Sequence, residues 1–247
     1  VSMAKKQYHI QLEEGEIPRS VILPGDPGRV EKIASFFDEA EAVASNREYC
    51  TWRGRVGDMP IACTSTGIGC PSAAIALEEL IKIGCDTFIR VGTCGALQPG
   101  INLGDMAITT ASVRDDGTTA QYVPLSYPAV ADLDVTLALR ESAKKLGLPW
   151  HAGIGHTKDA FYTESDEGLP MQEEQAKKWL ALERANVIST SMEASALFVL
   201  GSIKGVRVGE ILAVIGLTSS HEPIVKKVGV DDAIRCAIEA MKILNRR

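Results

Sequence analysis

Residues 21–34 read VILPGDPGRVEKIA, an apolar run set directly against a Gly-Asp-Pro-Gly-Arg turn. The run predicts a buried strand. After the turn, Val30, Ile33, Ala34 and Phe37 recur at helical spacing and mark one buried helix face. A strand, a glycine turn and a helix in this order form the opening unit of an α/β fold, and the rest of the chain repeats it. Strand-like segments recur at 86–92, 106–113, 150–157 and 207–216, and helix-like segments at 132–146, 171–185, 193–204 and 230–245. Residues 47–65 read as a hairpin turning at Gly57-Asp58, a dipeptide that tolerates positive φ. Residues 71–84 form a helix with Pro71 in its first turn and Gly84 past its end. Strands apolar on both faces that alternate with helices predict a largely parallel central sheet covered by helices. Neither a linker nor a repeat divides the chain, so a single domain over 1–247 is expected.

Composition narrows the function. Of 247 residues, 45% are hydrophobic and 23% charged, and the net charge is -6. No basic run advertises a nucleic-acid or membrane surface, which leaves a small-molecule partner. The six cysteines contain no CxxC pair, and the four histidines have no zinc-ligand spacing. They read as reduced structural thiols and as a chain without a metal centre. The polar N-terminal residues and the lack of any membrane-length apolar window lead to the expectation of a cytoplasmic protein. Two polar stretches, 115–132 and 162–175, are long for a compact domain and read either as functional lids or as plain solvated loops.

Three glycine turns fall where strands end: PGDPGR at 24–29, STGIGCPS at 65–72 and RVGTCG at 90–95. Glycine lets main-chain N–H groups approach an anion, and a helix N-terminus favours negative charge. Arg29 and Arg90 lie in two of these turns, beside the Thr93 hydroxyl. Arginine suits a bidentate grip on phosphate, so the turns point to a phosphate pocket. Neither GxxxxGK[ST] nor GxGxxG is present, which argues against ATPases and nicotinamide enzymes.

At STGIGCPSAAIALEEL, residues 65–80, the sequence resembles the nucleoside phosphorylase family of the uridine and hexameric purine type, closest to its uridine phosphorylase branch. GDPGRVEKIA (25–34), NREY (46–49), RVGTCGALQP (90–99), YPAVAD (127–132) and SMEASALF (191–198) resemble the family in the same order, across nearly the whole chain. The resemblance implies a three-layer α/β/α fold with a mostly parallel mixed sheet. It implies a pentosyltransferase in which inorganic phosphate displaces the base from a nucleoside, giving free base and ribose or deoxyribose 1-phosphate without an organic cofactor. It further implies that Gly25, Arg29, Arg90 and Thr93 hold phosphate, with Arg47 supplied by a neighbouring subunit. Met192 and Glu193 would hold the ribose, His9 would reach the 5′-hydroxyl across a dimer, and Phe161 would stack on the base. Glu48, Ile68 and Ser72 match a monovalent cation site, such as one for K+, between subunits. A homo-oligomer built from dimers, and commonly a hexamer, follows. Arg90→Ala is expected to abolish phosphorolysis with the fold retained.

The pattern departs from the family at the base. The Gln and Arg that read uracil after a D-x-FY segment are missing from KDAFYTESDEG, residues 158–168. The purine-branch Asp is missing from AVIGLTSSHEP, where Ile215, Gly216 and Leu217 stand at or near its position. Lys158, Glu164, His221 and Glu222 are the polar candidates for the base edge. Ser191 replaces a family Glu before Met192 and Glu193. Uridine or another pyrimidine nucleoside is the expected substrate. A purine or modified-nucleoside phosphorylase using another acid, such as Glu222 or Glu164, stays open, as does a catalytically silent nucleoside-binding protein.

Overall fold

The computed structural model describes residues 6–164, 168–217 and 228–246. The opening unit forms as its sequence dictates: β1 (Ser20–Pro24) runs into a turn and then α1 (Gly28–Ala34), with Val30, Ile33, Ala34 and Phe37 all buried. β2 (Glu39–Asn46) and β3 (Tyr49–Val56) pair antiparallel, and β3 turns at Gly57-Asp58 into β4 (Met59–Thr64) with Val56 opposite Met59. α2 (Cys70–Lys82) then leads to β5 (Thr87–Ala96) and β6 (Met106–Asp115). After the short β7 (Ala129–Val130), α3 (Leu133–Lys145) starts at Asp132, whose carboxylate accepts the Val135 N–H at 2.9 Å. β8 (Trp150–Lys158), α4 (Gln172–Arg184), β9 (Ser189–Ser191), α5 (Ala194–Lys204), β10 (Arg207–Leu217) and α6 (Val230–Asn245) complete the order.

The strands make one mixed sheet. β2, β3, β4 and β1 lead to β5, whose neighbours continue through β9, β8, β6 and β10. β10 returns to β5 in a parallel ladder from Arg207–Thr87 to Leu217–Ala96, so this half of the sheet curls round and closes on itself. One face packs on α1, α3 and α6 through a core that includes Ile33, Leu139 and Ile234. The other packs on α2 and α5 through Leu77, Leu80, Leu197 and Phe198. Helix, sheet and helix therefore form the three expected layers. α4 lies at the rim and buries only Leu182.

The closure places an opening in the sheet. One edge of β5 is paired to β1 as far as Val91 opposite Pro24, and to β9 from Gly95 opposite Thr190. Between them, Gly92, Thr93 and Cys94 have no strand on that edge in these ladders. A fork between two strands that diverge from a shared third is where α/β sheets admit ligands. Both diverging ends carry a sequence-selected segment: Gly25 follows β1, and Met192 and Glu193 follow β9.

Candidate active site

A cleft of about 1300 Å³ opens at this fork. Gly25, Arg29, Arg90, Thr93, Met192, Glu193 and Phe161 all line it, as do Glu48, Ile68 and Ser72. Segments from both ends of the chain thus meet in one cavity.

Arg90 is its electrostatic centre. The side chain is 4% exposed, pairs through Nη2 with Glu193 Oε2, and donates through Nη1 to Glu210 Oε2 at 3.1 Å. Burial works against its charge, but the two carboxylates hold the guanidinium above its ordinary pKa. Gly92 is required for this fold-back, because a Cβ there would lie 2.1 Å from Arg90 Nη1. Arg29 donates to the Val91 carbonyl at 3.3 Å. Burial, and next the repulsion of Arg90, press its pKa downward. Two guanidiniums close enough to repel form a place for an anion, which relieves the repulsion and receives their remaining N–H groups.

Glu193 stands just before α5, where an acidic side chain could serve only to complement the helix dipole. It does otherwise. Its side chain makes no capping bond, and Oε1 accepts the Gly69 N–H at 2.9 Å while Oε2 faces Arg90. Gly69, with φ 91°, adopts a conformation closed to most residues and aims that N–H across the cleft from the start of α2. The carboxylate is therefore held against the phosphate-type residues. Ser72 donates to Glu48 Oε1 at 2.9 Å, and hydrogen bonds to backbone and to Ser72 lower the Glu48 pKa, with burial opposing. Ile68 beside them is exposed.

Two selected residues do not enter the cleft of their own chain. His9 Nδ1 lies 2.7 Å from Glu79 Oε1, and the Glu79 carboxylate also accepts the backbone N–H groups of His9 and Ile10. Arg47 occupies the β2–β3 turn with φ 54° and is absent from the cavity wall.

The far side of the cleft is made by Lys158, Phe161, and Ala176, Trp179 and Glu183 of α4. Ile215, Gly216 and Leu217 close it with an apolar wall. The Glu164 side chain, and Ser165, Glu167, His221 and Glu222, lie outside the described residues. Of the two long polar stretches, 115–132 is pinned away from the cleft: Arg114 donates to the carbonyls of Val123, Pro124 and Tyr127, and Asp116 accepts from Thr119 and Ser195. Its reading as a lid is not supported by these bonds.

Sequence reasoning missed Glu210 and the α4 wall. Glu210 is fully buried, and its second oxygen accepts from Thr109 Oγ1 at 2.7 Å. The signal was present, since a lone acid inside VGEILAVIG implies a buried cationic partner. The cysteines behave as expected. All six are free; burial pushes the thiols of Cys63, Cys70, Cys85 and Cys236 up to about 12 and that of Cys94 higher still, which leaves them poor nucleophiles.

Residues 19–244 match the phosphorylase superfamily. The chain is 48% identical to a uridine phosphorylase of Thermococcus kodakarensis over 241 residues, covering 96% of this chain and 86% of the relative. It is 44% identical to a uridine phosphorylase of Treponema pallidum over 242 residues, covering 96% and 94%. A guanosine phosphorylase of Halorubrum lacusprofundi is 40% identical over 249 residues, covering 97% and 99%.

Proposed function

The chain belongs to the phosphorylase superfamily, and from that premise we propose that it cleaves uridine with inorganic phosphate, giving uracil and ribose 1-phosphate. The observation that carries this reading is the cluster of Arg29, Arg90 and Glu193 in one cleft, a cationic anion site touching a carboxylate. As the glycosidic bond breaks, positive charge develops on the sugar and negative charge on the base. A phosphate dianion fixed by Arg29, Arg90, Thr93 and the Gly25 turn stabilises that sugar and attacks C1′ through one oxygen. The C1′–N electron pair leaves with the base. Glu193 accepts from the 2′- and 3′-hydroxyls beside Met192, and Phe161 stacks on the base. Glu210 fixes Arg90 from behind. No organic cofactor takes part.

His9 and Arg47 lie outside the cleft of their own chain, and this supports a site completed by a neighbouring copy: Arg47 for phosphate and His9 for the 5′-hydroxyl. Dimers of this kind, assembled into a hexamer, fit nucleoside salvage in the cytoplasm by a protein folded as one domain over 1–247. Among the described residues no helix is long and apolar enough to cross a membrane. Glu48, Ile68 and Ser72 would hold a monovalent cation, K+ being the first to try. Dependence of the rate on K+ at constant ionic strength checks this.

A second reading, guanosine or another purine nucleoside as substrate, is favoured by the full-length similarity to a guanosine phosphorylase. Uridine, thymidine, deoxyuridine, inosine, guanosine and adenosine are incubated with the protein, with and without phosphate, and free base is followed by chromatography. Fastest phosphate-dependent release from uridine is expected. Faster release from guanosine or inosine selects the second reading, and release from none leaves a binding protein.

A further inference from the structure

β8 ends at Lys158, a lysine that is only 7% exposed yet lines the cleft. Lysine ordinarily extends its ammonium into water and buries only its stem. Here Nζ lies 5.3 Å from the Phe161 ring centroid and 5.2 Å from that of Trp179, so the charge is bracketed by two aromatic faces on the cavity wall. Building on the phosphorolysis reading, we propose that Lys158 grips the base by a carbonyl oxygen and carries the negative charge that the base acquires as the glycosidic bond breaks.

Its position in the sheet suits this task. β9 separates β8 from β5, since Gly95 pairs with Thr190 and His156 pairs with Thr190 on the other side. Two ladder spacings of about 4.8 Å put Lys158 on the order of 10 Å from the strand of Arg90 and Thr93. That gap is of the size needed for a ribose and the near part of a base. Phe161, the one aromatic residue the sequence selects for stacking on the base, is already in contact with the ammonium.

The chemistry fits as well. When the C1′–N bond breaks, its electron pair passes to the base and the charge spreads onto the base carbonyls. The phosphate oxygen forms the new bond to C1′. A lysine N–H donating to one carbonyl meets that charge from a side chain that is itself almost wholly buried, where such a donor is strong. The base anion then takes its proton from solvent on release, and Lys158 stays an ammonium throughout. Burial pushes its pKa down to about 8, which keeps most of it charged at neutral pH. Among the described residues, the charged groups near it include Asp115, which is bound to Lys178 at 2.8 Å and to His156 at 3.0 Å, and Glu183, which faces the cleft from α4.

A specificity follows. An ammonium has three donors and no acceptor, so it favours a keto base and disfavours one presenting an amine at the same position. The sequence around this cation departs from the family patterns that read the base.

Lys158→Met removes the charge while keeping the length of the stem, and circular dichroism checks its fold. The variant is expected to lose about 100-fold or more in kcat on uridine. Phosphorolysis of 4-nitrophenyl riboside, whose leaving group needs no such help, should fall less than about 10-fold by the same argument. Equal losses on the two substrates, or no loss on uridine, overturn the assignment. Wild-type protein that releases no base from any nucleoside defeats the phosphorolysis reading and this inference together, whereas an active wild type with an unimpaired Lys158→Met defeats this inference alone.

Discussion

At one end of the cleft Arg90 is 4% exposed and clamped between two carboxylates, on a strand that lies in the middle of the sheet. At the other end Phe161 is 59% exposed, just beyond the end of β8, and the wall behind it is α4, which buries a single residue of its own. The first end is part of the core, so its chemistry cannot change without cost to the fold. The second is attached to the outside of the same scaffold, where one side chain can be exchanged for another at little cost. This difference ties the arginine end of the cleft into the fold and leaves the Phe161 end on its outside.

The contrast breaks first, and most visibly, at Arg90. Arg90→Ala removes a phosphate ligand and leaves Glu193 and Glu210 buried without their cation. Activity should fall by about 1000-fold or more. Stability should fall by about 3–5 kcal/mol, read by urea unfolding. The sequence led to an intact fold for this variant; the structure adds the second carboxylate and with it the stability cost. An undiminished midpoint would mean that the clamp is not part of the core.

Arg29→Ala separates the two effects, because Arg29 is only partly buried and is bonded to one carbonyl. A loss of activity of about 100-fold is expected. Arg47→Ala should be as inactive, through the neighbouring copy. Co-expression of the two variants would then regain about a quarter of wild-type activity, because half of the dimers would hold one intact site out of two. An active Arg47→Ala would place Arg47 outside catalysis, and no recovery from two inactive variants would mean that it does not act across the dimer.

At the outer end, Phe161→Ala should raise KM about 10-fold, losing one stacking contact. Its melting temperature should stay unchanged, since the ring is mostly exposed. A large loss of stability would erase the contrast between the ends.

The smallest effect concerns His156, which packs edge-on against Trp179 with centroids 5.1 Å apart. Burial lowers its pKa below the usual value, although Asp115 pulls the other way. The folded state thus favours neutral His156. Its contribution to stability is complete above the unfolded pKa of about 6.5 and is lost as pH falls below it. Unfolding free energies at pH 7.5 and pH 5 should show the decline, and His156→Gln should reduce it.

Much of this was legible because local rules and tertiary packing agree. Val30, Ile33, Ala34 and Phe37 repeat at helical spacing and are buried, and Gly57-Asp58 turns the hairpin. The strand-like segments at 86–92, 106–113, 150–157 and 207–216 became β5, β6, β8 and β10. β2, with the polar sequence EAEAVASN, and the three-residue β9 were not legible, since each is a strand only because of the neighbour it pairs with. Arg29, Arg90, Thr93 and Glu193 could be selected as residues, but not their distances.

The sequence by itself determined the α/β layering, the glycine turns and the residue types suited to phosphate, because periodicity and backbone permissiveness are local properties. Tertiary structure decided that β10 closes onto β5, that β1 and β9 fork to open the cleft, that Glu210 stands behind Arg90, and that Lys158 is buried between two rings. The first three depend on segments more than a hundred residues apart, such as Arg90 and Glu210, and the last on α4 packing back against the end of β8. Only the ladder pairings of the closed sheet bring them together, and no local preference encodes those pairings.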